Sequence, residues 1–264
     1  FLCLSCNALH VFWPNICNAL HYHLYFLYQG FGIRLGPFMF EDIRQLSTEF
    51  ILTRNRPYQR YLIADQWPKH RFLMILGERG VGKTTTLIQG LLKDADGDPY
   101  SELILYVQAD HFLMQQTTLY EVAEYFHQMG VKAIAFDEIH KYPDWSLELK
   151  SIYDTFPKLK IYASGSSALA IYRGTHDLSR RVLVKYMYGL SFREFLCLKY
   201  EQTLVALELE EILNNHVELA RSILQIIESQ HFKILPLFRE YLQYGYYPYF
   251  LEEESTTEYL LLVE

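Results

Sequence analysis

The chain has few cysteines, no cluster of basic residues and no long uninterrupted apolar run. Its 264 residues include four cysteines, and only Cys197 lies beyond residue 38, which favours a reducing, cytoplasmic setting over a disulfide-stabilised one. The formal net charge is −7, so a basic face that grips nucleic acid non-specifically has little support, although composition does not exclude a local patch. The length suits one large or two modest domains.

Residues 1–38 differ in composition from the rest. They contain one charged side chain, Arg34, whereas the later residues carry 31 acids and 23 bases. A membrane span needs about twenty consecutive apolar residues, and five residues interrupt this segment: Pro14, Asn15, Asn18, His21 and His23. A secretory signal requires basic residues ahead of its apolar core, and none precede this segment. The pairs Cys3-x-x-Cys6 and His21-x-His23 fit no zinc pattern well. We therefore interpret residues 1–38 as an atypical apolar extension, such as translated upstream sequence, outside the working domain.

The most specific motif spans residues 77–84. Its sequence, Gly77-Glu78-Arg79-Gly80-Val81-Gly82-Lys83-Thr84, matches the phosphate-binding pattern GxxxxGK[ST] throughout. An apolar run at residues 72–76 precedes it and a helix-like segment from Thr85 follows, which is the context the motif requires. The backbone N–H groups of such a loop and helix start surround phosphates, Lys83 reaches the β- and γ-phosphates, and Thr84 ligates Mg²⁺. The motif predicts binding of a nucleoside triphosphate.

A second motif ends a short apolar run at residues 131–136. Asp137 and Glu138 follow this run, which is typical of a buried parallel strand whose carboxyl end opens onto a ligand crevice. Asp137 there would hold Mg²⁺ through its water shell, and Glu138 would orient and deprotonate an attacking water. An ordinary acidic pair at a strand end is the alternative, but the phosphate loop upstream favours a site for hydrolysis.

Strand-like and helix-like segments alternate between residues 39 and 189, and only helices are predicted beyond. Predicted strands cover residues 72–76, 103–107, 131–136, 159–163 and 181–188. Predicted helices cover 41–52, 84–93, 118–130, 144–156, 168–173, 191–198, 204–227, 236–245 and a segment from 255. Capping boxes begin the helices at Thr118 and Ser191. These patterns predict an α/β fold with a central parallel five-stranded sheet, followed by a smaller all-helical region. We place domain boundaries at 1–38, 39–189 and 190–264, the last being the truncated start of a carboxyl-terminal domain.

More side chains are candidates for catalysis. The fourth predicted strand ends in a serine-rich segment, where the hydroxyl of Ser164 or Ser166 could bind the γ-phosphate or the attacking water, although capping of the following helix explains the serines equally well. Arg180 and Arg181 precede the fifth strand, and either guanidinium could stabilise transition-state charge on its own or a neighbouring subunit's nucleotide. Structural pairing with Asp177 or Glu194 is the alternative for these arginines.

Several motifs occur together in an order that resembles one family. The segments GERGVGKTTTLIQ, AIAFDEIHKYPDWSLELKSIYD, LKIYASGSSAL, DLSRR and GLSFREFL are similar to prokaryotic AAA+-type ATPases that carry a domain of unknown function behind the ATPase module. PLFREYLQYGYYPYFLE resembles the junction to that domain, so the resemblance covers about residues 39–251. It implies a P-loop NTPase fold of the AAA+ or RecA-like type, ATP rather than GTP, a centrally placed phosphate-loop strand, and the roles given above for Lys83, Thr84, Asp137 and Glu138. Ser164 stands where the family often has Thr, which keeps the hydroxyl.

Two classes of function follow from these motifs. An ATP hydrolase would couple turnover to conformational work on an unknown partner, whereas a nucleotide-dependent signalling switch would use bound ATP or ADP to set an interaction state with little turnover. Glu138 favours the hydrolase, since a switch can dispense with a base. A DNA-associated ATPase is a weaker third alternative. Homo-oligomerisation stays open, and no membrane association is expected.

Overall fold

The computed structural model describes residues 36–64, 67–166, 178–229 and 231–251. The chain divides into Phe1–Glu41 and Asp42–Glu264, and the architecture below is that of the second unit. Three interpretations made from the sequence lie outside the described residues: that of residues 1–38, of which only 36–38 are described, that of the helix at 168–173 and that of the helix from 255.

Five parallel strands form the centre of the fold. They are β1 (Phe72–Leu76), β2 (Ile104–Gln108), β3 (Ala133–Asp137), β4 (Lys160–Gly165) and β5 (Leu183–Tyr186), in the order β2-β3-β4-β1-β5. All neighbouring pairs are parallel, which confirms the predicted sheet. The central position expected for the phosphate-loop strand is wrong, because only β5 is added beyond β1 and the middle strand is therefore β4.

Helices precede, connect and follow these strands. They are α1 (Gly36–Arg54), α2 (Tyr61–Ala64), α3 (Lys83–Asp94), α4 (Leu119–Gln128), α5 (Trp145–Thr155), α6 (Phe192–Tyr200), α7 (Leu209–Ser229) and α8 (Ile234–Tyr244). Helix α7 is interrupted at Asn215, where φ is −133° and ψ is 22°. The helical region predicted beyond the sheet is thus present. Within the described ranges, no helix has an apolar stretch long enough to cross a bilayer.

Both predicted capping boxes are present. The Thr118 hydroxyl accepts from the backbone N–H of Glu121 at 3.1 Å, and the Glu121 carboxylate accepts from the N–H of Thr118 at 2.9 Å. Ser191 and Glu194 make the same reciprocal pair at 3.2 and 2.9 Å. Each box satisfies backbone donors that a helix start leaves unpaired, and so fixes where α4 and α6 begin.

Two of the apolar clusters among the described residues join these elements. The larger one joins the sheet to α3 and includes Leu73, Ile75, Leu87 and Tyr162. The smaller one joins α6, α7 and α8 through Phe195, Leu196, Ile227 and Leu237. The boundary proposed at residues 189 and 190 lies between the elements of these two clusters.

Helix α1 supplies hydrogen bonds to the edge strand β2. An edge strand has backbone groups without a neighbouring strand to pair with. The Ser47 hydroxyl accepts from the N–H of Tyr106 at 2.8 Å, and Arg44 Nη1 donates to the carbonyl of Ile104 at 2.6 Å. Ser47 is only 1% exposed, so water does not replace it. These bonds fix the backbone of Tyr106, whose hydroxyl reaches the candidate site.

Replacing Ser47 with alanine should destabilise the protein. We expect Ser47→Ala to lower the free energy of unfolding by about 1–3 kcal/mol, because the buried N–H of Tyr106 loses its acceptor. Denaturant unfolding measures this loss. Ser151→Ala is the matched control, since the Ser151 hydroxyl is exposed and donates only to Leu147 O within α5. Equal stability of the two variants would contradict the role given to Ser47.

Candidate active site

The loop between β1 and α3 has the conformation that its glycines permit. Gly80 and Gly82 have φ values of 85° and 95°, in the left-handed region that favours glycine. Gly77 is required for a different reason: a Cβ there would lie 2.1 Å from the backbone oxygen of Met187. The chain that leaves β5 therefore packs directly against the start of the loop.

The side chain of Lys83 lies inside this loop. Its Nζ donates to the carbonyls of Gly77 and Glu78 at 3.0 and 2.7 Å, and the residue is 4% exposed. Burial lowers the pKa of Lys83, while the negative charges of Glu138, Asp137 and Glu78 act to raise it. An anion beside this ammonium would stabilise its charged form, and phosphate oxygens are suited to that place.

Three hydroxyl groups converge on the carboxylate of Asp137, which ends β3. Thr84 Oγ1 and the Tyr106 hydroxyl each donate to Oδ2 at 2.6 Å, and Ser164 Oγ donates to Oδ1. Burial, followed by the charge of Asp137, raises the pKa of Tyr106, so its hydroxyl stays protonated and remains a donor. The carboxylate is thereby held in one orientation at the carboxyl edge of the sheet.

Glu138 follows directly and has an unusual backbone. Its φ of 54° is strained for a residue with a side chain, and its N–H donates to Asp137 Oδ1 at 3.1 Å and to Ser164 Oγ at 3.2 Å. Its carboxylate lies 3.5 Å from Lys141 Nζ and 3.8 Å from His140 Nε2. Glu138 also lines the cavity described next.

A cavity of about 610 Å³ opens beside these groups. Five basic side chains and two carboxylates line it, together with polar, glycine and aromatic residues. The lining residues are Arg54, Arg56, Tyr58, Arg79, Gly80, Gly82, Lys83, Thr84, Thr85, Gln108, Asp137, Glu138, Lys141, Ser166, Pro248 and Tyr249. The excess of basic groups contrasts with the net charge of −7 for the chain, and it suits a polyanionic ligand such as a nucleoside triphosphate.

The phosphate-loop residues predicted to bind a nucleotide divide into two groups. Arg79, Gly80, Gly82, Lys83, Thr84 and Thr85 line the cavity. Gly77 and Glu78 supply the carbonyls that hold Lys83, and the Val81 side chain is fully buried in the larger apolar cluster. Mg²⁺ prefers oxygen ligands, and the Thr84 hydroxyl and Asp137 carboxylate, 2.6 Å apart, provide them beside the loop. The residues present therefore suit both a nucleoside triphosphate and Mg²⁺.

Ser164 supports the site from inside the fold. It is 0% exposed, its hydroxyl donates to Asp137, and it accepts from the N–H of Glu138. In this structure it orients the two acidic residues. The serine that lines the cavity is Ser166, whose Oγ lies 3.2 Å from His140 Nε2.

Arg180 and Arg181 lie away from the cavity. They precede β5, whose residues Leu183 and Tyr186 pair with Leu73 and Leu76 of β1, so both arginines lie toward the amino edge of the sheet. The phosphate loop follows the carboxyl edge. Contact of either arginine with its own chain's nucleotide is therefore not supported by this arrangement.

The partners of these arginines also differ from the sequence-based alternative. Arg181 makes a two-pronged ion pair with Asp154 at 2.9 and 3.0 Å. Glu194 instead pairs with Arg60 at 2.8 Å, and Asp177 lies outside the described residues. Pairing of Arg181 with Glu194 was thus wrong, because α5, which carries Asp154, ends at the amino edge of the sheet where Arg181 lies.

Sequence reasoning missed several residues of the site. In the sequence, Tyr106 resembles the apolar residues around it in β2. Only its hydroxyl, on a strand that neighbours β3, could have indicated a role. Arg54, Arg56 and Tyr58 line the cavity from a segment without any motif. Arg60 also has no local signal, because its partners are distant in sequence.

Comparison with known proteins agrees with this geometry. Residues 69–196 match the model of a family described as AAA domain. An uncharacterized protein of Methanocaldococcus jannaschii, MJ1637, is 28% identical over 260 residues, a match that covers 90% of this chain and 54% of that protein. The chain thus spans about half the length of this curated relative.

Two solved structures show a more distant likeness. AMPPCP-bound DnaA from Aquifex aeolicus shares 14% identity with a TM-score of 0.38, covering 76% of this chain and 68% of that one. PCH-2 of C. elegans shares 12% identity with a TM-score of 0.34, covering 63% and 46%. Neither likeness is close enough to assign a function. The phosphate loop and the parallel sheet agree with the match of residues 69–196 to the AAA domain model, and the chain has the fold of a P-loop NTPase.

Proposed function

We propose that the protein binds and hydrolyses ATP with Mg²⁺ and that the cycle drives conformational work on an unknown partner. The observation that supports this best is the meeting of Lys83, Asp137 and Glu138 at one cavity. The proposal includes a cytoplasmic location, an ATPase core at residues 39–189 and a separate helical region from residue 190. The domain of unknown function that the family resemblance implies is also part of it.

Binding follows from the charges around the loop. The Lys83 ammonium already donates to two carbonyls of the loop, and a γ-phosphate oxygen would offer it a charged acceptor, which makes a stronger hydrogen bond. Arg54, Arg56 and Arg79 extend the positive lining of the cavity. A triphosphate would therefore be held by the loop and by the side chains opposite it.

Hydrolysis would use Glu138 as the base. A water between the Glu138 carboxylate and the γ-phosphate would lose its proton to that carboxylate, its oxygen would bond to phosphorus, and the bond to the ADP oxygen would break. Thr84 and Asp137 would hold Mg²⁺, and the bound ion would neutralise part of the phosphate charge. Ser164, through its bonds to Asp137 and to the N–H of Glu138, would hold these two acidic residues in position.

A switch with little turnover is the second candidate. The Glu138 carboxylate lies 3.5 Å from Lys141 Nζ, and this ion pair would compete with an attacking water for the carboxylate oxygen. Lys141 also pairs with Asp110 at 2.6 Å, which can hold it in place beside Glu138. If this arrangement persists with nucleotide bound, the protein would retain ATP for long periods.

Removing the Lys83 ammonium should weaken ATP binding. We expect Lys83→Ala to bind ATP at least about tenfold more weakly, because a hydrogen bond to a charged group contributes about 1.5–3 kcal/mol. Titration calorimetry with Mg-ATP measures this. Lys160→Ala is the control, since Lys160 is an exposed residue at the start of β4 and pairs with Asp94. Equal ATP affinity of the Lys83 variant and wild type would refute the binding proposal.

Changing Glu138 to glutamine should separate binding from chemistry. We expect Glu138→Gln to bind ATP but to turn it over about 10²–10⁴-fold more slowly, because the amide keeps the shape and removes the base. Phosphate release at saturating ATP gives the rate. Glu49→Gln, at an exposed position of α1 that contacts Gln45, should retain the wild-type rate. Wild-type turnover in the Glu138 variant would exclude Glu138 as the base.

An arginine could act on the nucleotide of a neighbouring subunit. Arg181 is engaged by Asp154, whereas Arg180 is exposed and, among described residues, has no side-chain hydrogen bond or ion pair. We therefore propose Arg180 for this role. Turnover per chain should rise with protein concentration, and Arg180→Ala should remove that rise, since such a guanidinium can contribute about 10³–10⁵-fold.

The matched control for this experiment is Lys185→Ala in β5. A folded Arg180→Ala variant with the wild-type rate at every protein concentration would eliminate the role. Concentration-independent turnover of the wild type would also argue against action between subunits.

A further inference from the structure

The guanidinium of Arg60 lies at the centre of four contacts. Arg60 precedes α2 and is 1% exposed. Its Nη1 donates to the Val81 carbonyl, its Nη2 donates to the carbonyls of Tyr188 and Gly189 at 2.9 and 3.0 Å, and its Nε donates to Glu194 Oε1 at 2.8 Å. One side chain thus connects the phosphate loop, the chain after β5 and the start of α6.

These contacts make the position of the guanidinium well determined. A buried charge is costly unless it is paired and hydrogen-bonded, and here every guanidinium nitrogen of Arg60 has an acceptor. Burial acts to raise the pKa of Glu194, but hydrogen bonding and the charge of Arg60 outweigh it, so the pKa lies below its usual value. Glu194 is therefore ionised near neutral pH, and the pair is a full ion pair.

The contact with Val81 affects the orientation of a peptide in the phosphate loop. In a trans peptide the carbonyl and the following N–H point in opposite directions, and the described backbone has no cis peptide. Arg60 binds the Val81 carbonyl, and neither Arg60 nor Val81 lines the cavity that Gly82 lines. The N–H of Gly82, on the opposite side of this peptide, would then face the cavity, where phosphate would be bound.

The contact with Glu194 extends this hold to the helical region. The Glu194 carboxylate also accepts from Tyr61 N at 3.3 Å and closes the capping box with Ser191. A shift of the first turn of α6 would therefore move an acceptor of Arg60. The orientation of the Val81–Gly82 peptide is linked in this way to an element 110 residues further along the chain, given the positions of Gly82 and Phe192.

We propose that Arg60 is a positioning residue for nucleotide binding. It fixes the Val81–Gly82 peptide so that the Gly82 N–H faces the phosphate, and Glu194 makes this orientation depend on where α6 begins. The inference rests on the proposed function, because it concerns the same phosphate loop. Arg60 itself does not line the cavity, so it acts through the loop.

The sequence offers a direct probe of this peptide. Val81–Gly82 is the single Val-Gly pair in the chain. Labelling with carbonyl-¹³C valine and ¹⁵N glycine therefore marks one doubly labelled amide, that of Gly82, whose NMR resonance can be selected without further assignment. ATP affinity of the same samples is measured by calorimetry.

Arg60→Lys keeps the positive charge but cannot reach four acceptors. We expect it to shift or broaden the Gly82 resonance before nucleotide is added and to weaken ATP binding about tenfold or more. Glu194→Gln should change the same resonance in the same direction by a smaller amount. Arg71→Lys is the matched control, because Arg71 also donates to two backbone carbonyls, of Phe156 and Tyr153 at 2.9 Å each. It should leave the Gly82 resonance unchanged even if stability falls.

The outcomes separate this inference from the proposed function. An unchanged Gly82 resonance together with wild-type ATP affinity in Arg60→Lys overturns the positioning role. If Arg60→Lys does not fold, Glu194→Gln decides, and an unaltered Gly82 resonance in that variant overturns it. A wild-type protein that binds no ATP contradicts the proposed function instead, while the nucleotide-free Gly82 resonance still shows whether Arg60 sets the peptide.

Discussion

The site depends above all on the carboxylate of Asp137. Hydroxyl groups from α3, β2 and β4 donate to it, so one acidic group joins the phosphate loop to both neighbours of β3 in the sheet. Parallel strands end at the same edge, which is why these donors can meet there. A buried carboxylate without such partners would be costly. With them, its oxygens are ordered beside Thr84, where a cation would be bound.

Those parts of the fold that have a strong local pattern could be predicted from the sequence. The β1 strand has the predicted bounds, because an uninterrupted apolar run lies directly before the phosphate loop. The capping boxes at Thr118 and Ser191 were predictable for a similar reason, since both partners lie within one helical turn. Strand β5 was predicted at 181–188 but spans Leu183–Tyr186, because it is a partly exposed edge strand that pairs only with β1.

Contacts between distant residues could not be predicted in this way. Arg60 and Glu194 are 134 residues apart, and nothing near either of them in the sequence indicates the other. Ser47 and Tyr106 are a similar case at 59 residues. The motif residues themselves were identified because their chemistry requires fixed spacing. The residues that hold them in place are set by the tertiary fold, and the sequence alone did not indicate the contacts of Ser47 or Arg60.

The helical region contacts the phosphate loop at a second point. The Tyr247 hydroxyl donates to Glu78 Oε2 at 2.9 Å, and its ring lies 3.5 Å from where a Cβ on Gly80 would be. Pro248 and Tyr249 line the cavity itself. Pro248 and Tyr249 thus give the cavity a wall from the helical region, whereas Glu194 is connected to the phosphate loop through Arg60, outside the cavity.

The most direct test of hydrolysis at this cavity is steady-state phosphate release by the wild-type protein, with Mg²⁺ and with the metal removed by a chelator. Sustained release over many turnovers in Mg²⁺, lost with the chelator and restored by added Mg²⁺, is the result expected from Thr84, Asp137 and Glu138 acting together. Tight ATP binding with no release beyond a single turnover would contradict hydrolysis and favour the switch. Release that continues unchanged without a divalent metal would contradict the site described for Mg²⁺.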